Sequence, residues 1–303
     1  MICTVTFNPA VDYVVHVDEL TPGTICRAKS ESIHFGGKGI NVSLILRELG
    51  IESVATGFIA GFTGRAVADG IDGGGIKSDF VELESGCTRI NVKLRSGCET
   101  DINGQGPSIG KADLEKLLEK LSVLGDGDLL VLAGSVPDSL PDDIYERIMK
   151  SLFGRGVKFV VDATGGLLKS CLKFSPWLIK PNNDELGELF STKIDTQEEA
   201  AVYAEKLLDL GAQNVLVSMG GKGAVLVDSS RRTHFTEAIS GKVVNTVGAG
   251  DSMVAGFIAG FKNTGDFDCA LALGSAAGSA TAFSEGLAKG DDIMKLSVKT
   301  KFI

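Results

Sequence analysis

Two kinds of apolar run alternate along this chain. Short continuous ones, such as Leu129-Leu130-Val131-Leu132, read as strands buried on both faces. Longer segments repeat their apolar positions every three or four residues and read as helices packed on one side. The first part of the chain predicts strands 1–7 and 53–60 and helices 40–49 and 63–71. From residue 111 the order is regular: helix 111–121, strand 129–133, helix 144–153, strand 157–162, helix 167–173 and strand 177–180. Helices 184–190 and 197–210 follow, then strands 214–218 and 223–227. A β-branched lead-in at 242–244 reads as one more strand, before helices 253–261 and 269–283. Strands alternating with helices at this spacing predict an α/β protein with a parallel sheet covered on both faces.

Four segments break this rhythm. Runs 11–17 and 25–35 are short, polar and far from any helix. Run 88–94 alternates apolar and polar residues, and 99–103 pairs back on it across Ser96-Gly97. Together they predict a small sheet apart from the main body.

Composition narrows the function. The 39 glycines suit many tight turns between strands and helices, and 6% aromatic residues are too few for a nucleic-acid stacking platform. A net charge of −9 without a block of like charges argues against nucleic-acid and membrane partners. The six cysteines form no C-x-x-C pair and the three histidines are far apart, so no zinc site is expected. Asn8-Pro9 and Asp12 interrupt the first apolar run at once, unlike a secretory signal, and no stretch is long and apolar enough to span a bilayer. Free thiols in a reducing, cytoplasmic setting are the expectation.

Candidate chemistry gathers at glycine-rich turns. In Val247-Gly248-Ala249-Gly250-Asp251-Ser252 a bare turn opens a helix, so free N–H groups and the helix dipole favour an anion. Asp251 there has two readings, a cap of the helix or a base beside an anion cradle. Gly36-Gly37-Lys38-Gly39-Ile40-Asn41 lets backbone approach a ligand and brings a cation to a second helix start. Lys180-Pro181-Asn182-Asn183-Asp184-Glu185 also has two readings. Asn182 and Glu185 share a helix face and suit Mg²⁺ held through water, or they form a capping box. Ser218-Met219-Gly220-Gly221-Lys222-Gly223 is a turn after a strand, either a hairpin connection or part of a site. Ser135, in Gly134-Ser135-Val136-Pro137, is placed to bond a phosphate. The sequence has no P-loop, so it is not a P-loop protein. The missing G-x-G-x-x-G fingerprint weakens a dinucleotide oxidoreductase, which stays a rival that tight NAD binding would reopen, and the missing G-x-S-x-G elbow weighs against an α/β-hydrolase.

The glycine-lysine turn at Gly36–Asn41 and the Val247–Ser252 turn resemble the two signatures of the ribokinase-like, or PfkB, sugar kinases. The likeness runs nearly the full chain. Within that family it is greatest to the subgroup acting on fructose 1-phosphate, then to tagatose 6-phosphate kinases. Thr6-Phe7-Asn8-Pro9-Ala10-Val11-Asp12, Thr88 to Leu94, Glu99 to Pro107 and Lys180 to Glu185 carry it. Val136-Pro137-Asp138-Ser139 and Asp162-Ala163-Thr164-Gly165 depart from that subgroup's usual residues.

The resemblance implies one ribokinase-like kinase domain over residues 1–303. Its core would be a three-layer αβα arrangement with a mainly parallel sheet, plus a small β-sheet lid from about 11–35 and 87–104. The implied reaction moves the ATP γ-phosphoryl group to the 6-hydroxyl of fructose 1-phosphate, tagatose 6-phosphate and fructose 6-phosphate being the alternative acceptors. Asp251 would be the base, with the N–H groups of Gly248, Ala249 and Gly250 around the phosphoryl oxygens. Asp12, Gly37, Lys38, Asn41 and Asn103 would hold the sugar, and Arg89 and Ser135 its phosphate. Arg27 would reach the sugar phosphate of a neighbouring subunit. Lys180 would face the ATP phosphates and Asn182 and Glu185 a hydrated Mg²⁺. Ser218, Gly220, Gly221, Gly223 and Thr246 would line the nucleotide. The implied partners are a phosphorylated ketohexose, ATP, and a second copy of the chain joined through the lid. A non-catalytic sugar or nucleotide sensor is the rival from another class.

Overall fold

The computed structural model describes residues 1–300, the side chain of Cys98 excepted. In chain order the strands are β1 (Ile2–Thr6), β2 (Ala10–His16), β3 (Ser30–Gly36), β4 (Val54–Ala60), β5 (Lys77–Ser78), β6 (Val81–Leu83), β7 (Arg89–Ser96), β8 (Cys98–Asn103), β9 (Leu129–Ala133), β10 (Lys158–Asp162), β11 (Leu178–Ile179), β12 (Val215–Ser218), β13 (Ala224–Val227) and β14 (Thr233–Thr236). The helices are α1 (Lys38–Glu48), α2 (Gly61–Gly73), α3 (Lys111–Leu121), α4 (Ile144–Leu152), α5 (Gly165–Leu172), α6 (Asn183–Phe190), α7 (Gln197–Asp209), α8 (Ala249–Thr264), α9 (Phe267–Ala282) and α10 (Gly290–Ser297).

The large sheet runs β14-β13-β12-β11-β10-β9-β1-β4-β5, with β6 also beside β4. Pairs from β12 through to β4 are parallel, and only β12–β13 and β13–β14 are antiparallel. Alternate residues of each strand feed opposite faces. On β9, Leu130 and Leu132 join a core with α3 to α7, while Leu129, Val131 and Ala133 join another with α1, α8, α9 and α10. That double burial explains the continuous apolar runs, and it makes three layers, helices–sheet–helices.

The small sheet has the order β3-β2-β7-β8. Its registers fix what each face carries. Asp12 lies opposite His34 and Asn91, and Asn91 opposite Asn103, all on one face. Tyr13, Ile33, Val92 and Ile102 share the other. The root of that apolar face is covered: Val11 and Phe35 pack with Ile40, Val67 and Ile71 of α1 and α2. Its outer part is bare, with Ile33 and Ile102 both exposed.

Two expectations need correction. Segment 25–35 becomes a strand only from Ser30, and Ile25 is 90% exposed with no neighbouring strand. The lead-in at 242–244 is not a strand. Its valines face solvent, and the N–H groups of Val244 and Asn245 donate to the carbonyl of Ala282 instead of to a sheet. A β-branched run favours extended backbone, yet a strand needs a partner. The short strands β5, β6 and β14 hold only two to four residues, too few to show a periodicity, and the eight-residue α10 follows the last predicted helix.

Candidate active site

Asp162, at the carboxyl end of β10, and Lys180, just after β11, meet the start of α8. Gly248 is the N-cap of α8, left-handed at φ 80°, with no side chain capping the helix. A Cβ there would be strained and would meet Leu287 at 2.7 Å, so the turn needs glycine. Ser252 N–H donates to the Gly248 carbonyl at 2.9 Å and begins the helical ladder. Among the described residues the N–H groups of Gly248, Gly250 and Asp251 have no acceptor. The N–H of Ala249, expected in the same cradle, donates back to the Thr246 carbonyl at 3.2 Å.

Asp251 does not cap α8. Its side chain is turned inward, 4% exposed, and its Oδ2 accepts from Asn41 Nδ2 at 2.8 Å. Burial, helped by the charge of Asp162, raises its pKa to about 6 against the pull of Asn41, Lys38 and Lys180. Asp162 ends β10 between two cations: Lys38 Nζ lies 3.2 Å from its Oδ2 and Lys180 Nζ 3.2 Å from its Oδ1. Those ammonium groups hold the Asp162 carboxyl below the ordinary range although burial opposes them. Lys180 is itself buried, and its Nζ would lie only 3.3 Å from a Cβ on Gly250. Glycine at 250 thus lets an ammonium approach the first turn of α8. Lys38 opens α1, and its stem lies against Gly134, 3.6 Å from where a Cβ would be.

The polar face of the small sheet abuts this cluster. A Cβ on Gly36 would sit 3.1 Å from Asp12 Oδ2 and 3.8 Å from Asn41 Oδ1, so Asp12 and Asn41 flank that glycine. Asn91 Nδ2 donates to Asp12 Oδ1 at 2.8 Å, and Asn91 Oδ1 accepts from Gly104 N–H at 3.2 Å. Arg89 is half-buried; its Nε donates to the Asn8 carbonyl at 3.2 Å, and its pKa is lowered by burial, with Asp12 opposing. Gly37 holds φ 133° where any side chain would strike Thr6. Asn103 stands exposed at the end of β8, and Ser135 is exposed after β9.

The Lys180–Glu185 turn behaves differently from the α8 turn. Asn182 Oδ1 accepts the Glu185 N–H at 2.7 Å and Glu185 Oε2 accepts the Asn182 N–H at 2.9 Å, a closed capping box on α6. Of the two readings for this pair, the cap is therefore realised. One oxygen of Glu185 stays outside the box, and its charge reaches Lys38. No cluster of three or more His, Cys, Asp or Glu side chains suited to a metal exists among the described residues. The donors present fit a hydrated cation carried by a ligand's phosphates, not an ion bound directly by protein. Asn182 also bridges in parallel to Ser218, which brings the Ser218–Gly223 turn alongside. Within that turn Gly220 (φ 54°) and Gly223 (φ 84°) are left-handed, and Gly221 is exposed.

The fold thus brings together Asp251, Gly248, Gly250, Lys38, Asn41, Lys180 and Asp12. Thr246 lies exposed in the loop before α8, and Arg27 is exposed in the 17–29 loop of the small sheet, away from the cluster in sequence and without an ion-pair partner among the described residues. Sequence reasoning missed Asp162 and Asn91. A lone Asp at a strand end carries no local signal; only the meeting of β10 with Lys38 and Lys180 gives it partners. Among the described residues no helix is long and apolar enough to cross a membrane, and Cys3, Cys26, Cys87, Cys171 and Cys269 are free.

With this geometry in view, comparison with known proteins is specific. The model of the pfkB family carbohydrate kinases matches residues 5–293. A 1-phosphofructokinase of Bacillus subtilis is 45% identical over 99% of both chains. A D-tagatose-1-phosphate kinase of Bacillus licheniformis is 41% identical over 98% of this chain and 96% of its own. The phosphofructokinase-2 of Escherichia coli, solved in complex with substrates and products, superposes with a TM-score of 0.91 at 26% identity over 98% of each chain. That enzyme has also been solved as a tetrameric inhibited form.

Proposed function

The chain belongs to the pfkB family of carbohydrate kinases, and from that premise we propose that it transfers the ATP γ-phosphoryl group to the 6-hydroxyl of fructose 1-phosphate, giving fructose 1,6-bisphosphate and ADP. The full-length likeness to a 1-phosphofructokinase supports this acceptor. The observation that carries the chemistry is the Asp251 carboxylate, buried, held at one oxygen by Asn41 and left with the other for a substrate.

In this reading Asp251 Oδ1 takes the proton of the 6-hydroxyl as that oxygen attacks the γ-phosphorus and the bond to the β-phosphate oxygen breaks. A pKa of about 6 leaves the carboxylate ionised at neutral pH yet close enough to accept a proton efficiently. The N–H groups of Gly248, Gly250 and Asp251, with the α8 dipole, steady the phosphoryl oxygens. Phosphoryl transfer needs little beyond such positioning and charge.

Asp12, Gly37, Lys38, Asn41 and Asn103 hold the sugar, and Arg89 and Ser135 its phosphate. Lys180 faces the ATP phosphates, while Ser218, Gly220, Gly221, Gly223 and Thr246 line the nucleotide. Mg²⁺ supplies charge neutralisation to those phosphates when bound. Asn182 orients Glu185, whose free oxygen would hold one of the ion's waters. The small sheet acts as a lid, its polar face toward the sugar. Its bare apolar face, with Ile33 and Ile102, pairs with the same face of a second chain, and Arg27 then reaches the neighbour's sugar phosphate. An ATP-consuming enzyme of sugar metabolism works in the cytoplasm.

The relative named D-tagatose-1-phosphate kinase supports a second reading, with tagatose 1-phosphate as acceptor. ATP-dependent ADP release measured with fructose 1-phosphate, tagatose 1-phosphate, tagatose 6-phosphate and fructose 6-phosphate separates these. The highest kcat/KM is expected with fructose 1-phosphate. Preference for another of the four moves the acceptor, and no turnover with any sugar returns the chain to a sensor. Light scattering should give a dimer that Ile33→Ser/Ile102→Ser makes monomeric; a monomeric native chain would remove the lid-to-lid interface.

A further inference from the structure

Asp162 lies outside the roles assigned so far. It ends β10, is 3% exposed, and offers one oxygen to each of two lysines that arrive from separate elements, Lys38 on α1 and Lys180 after β11. Neither ammonium group has another acceptor among the described residues, so each keeps donors for ligand oxygens. A buried carboxylate between two cations is a costly way to stabilise a fold, since apolar residues of similar volume often do better. The arrangement makes sense where the lysines must be in place before a ligand arrives. Lysine side chains are otherwise mobile, and ordering them on binding lowers affinity.

Resting on the kinase reading above, we propose that Asp162 is a positioning residue. Its two oxygens set the spacing of Lys38, on the sugar side, and Lys180, on the nucleotide side, across the start of α8. The phosphoryl group then passes between ammonium groups already fixed. A single carboxylate thereby couples the two substrate sites.

The test is a mutant cycle on the full chain with ATP and fructose 1-phosphate, using Asp162→Asn, Lys38→Met, Lys180→Met and their combinations. Asp162→Asn should lower kcat/KM for both substrates by roughly 10²-fold. In the Lys38→Met/Lys180→Met background the same change should cost less than about threefold, because the groups it positions are gone. The groups facing Asp251 are Asn41, Lys38, Lys180 and Asp162, and only Asp162 is anionic. Removing its charge should therefore move the acid limb of the rate profile to lower pH, which general misfolding would not do. Full cost in the lysine-free background overturns the proposal. So does a defect abolished by excess Mg²⁺, which would give the carboxylate to the ion.

Thermal unfolding decides the pairing if Asp162→Asn alone does not fold. Lys38→Met/Lys180→Met strands a buried carboxylate, so adding Asp162→Asn should raise its melting temperature; an equal or lower value overturns the pairing. A native chain with no turnover at all would remove the kinase reading, while the unfolding arm would still judge the lysine pairing.

Discussion

Two turns in this molecule open helices with a carboxylate in the first turn, and their fates are opposite. At α6, Glu185 and Asn182 satisfy each other's backbone and close a capping box. At α8, the cap is a bare glycine and Asp251 turns away from its own helix to meet Asn41 from α1. The first carboxylate completes local structure. The second is buried at a cost, beside Asp162, with N–H groups around it left free. The Glu185 carboxylate spends one oxygen on its own turn, whereas the Asp251 carboxylate spends none on its helix and is buried among free N–H groups.

The sharpest way to break this contrast is Asp251→Asn. We expect kcat to fall by at least ~10²-fold, as for loss of a general base. Stability should move the other way. The folded pKa of about 6 lies above the ordinary 3.8, so folding favours the protonated form. That contribution is full below the unfolded value and is lost as pH rises through about 6. At neutral pH the ionised side chain therefore costs about 3 kcal/mol, and Asp251→Asn should melt higher than the native chain, with the gap widening from acid to neutral pH. Calorimetry across that range checks it; a variant that melts lower at pH 7 would make Asp251 a structural residue.

Glu185→Gln keeps an acceptor for the capping box and removes only the charge. Its melting temperature should hold while the Mg²⁺ concentration for half-maximal rate rises roughly tenfold. An unchanged Mg²⁺ titration would confine Glu185 to the cap. Asn41→Ala removes the donor to Asp251 Oδ2, so the acid limb should move up in pH and kcat fall about tenfold at neutral pH. Asn182→Ala should show the smallest kinetic effect, under about threefold, and a stability loss of about 1 kcal/mol from the lost cap. Unfolding in urea with parallel rate measurements would separate the two.

Much of this contrast is visible in the sequence, and the missing part has a physical reason. Continuous apolar strands and periodic helices prescribe the large sheet, and alternation at 88–94 prescribes the small one. Gly248 and Gly250 mark the anion turn because only glycine fits a left-handed cap and the approach of Lys180. Asn182 and Glu185 show both their readings in four residues, since a capping box is local. Asp162 cannot be read that way: its partners lie 124 residues before it and 18 after it, and only the order of strands brings them together. Asn91 is hidden for the same reason, facing Asp12 across a parallel pair. The run at 242–244 misleads because propensity cannot report a missing partner strand.

The central claim is that the Asp251 carboxylate, not its place in the helix, does the work, and the pH dependence of kcat/KM for fructose 1-phosphate tests it most directly. The native enzyme should lose activity through a single acid limb near pH 6, and the residual activity of Asp251→Asn should lack that limb. A native profile that stays flat from pH 5 to 8, or a limb that persists in the variant, would contradict it.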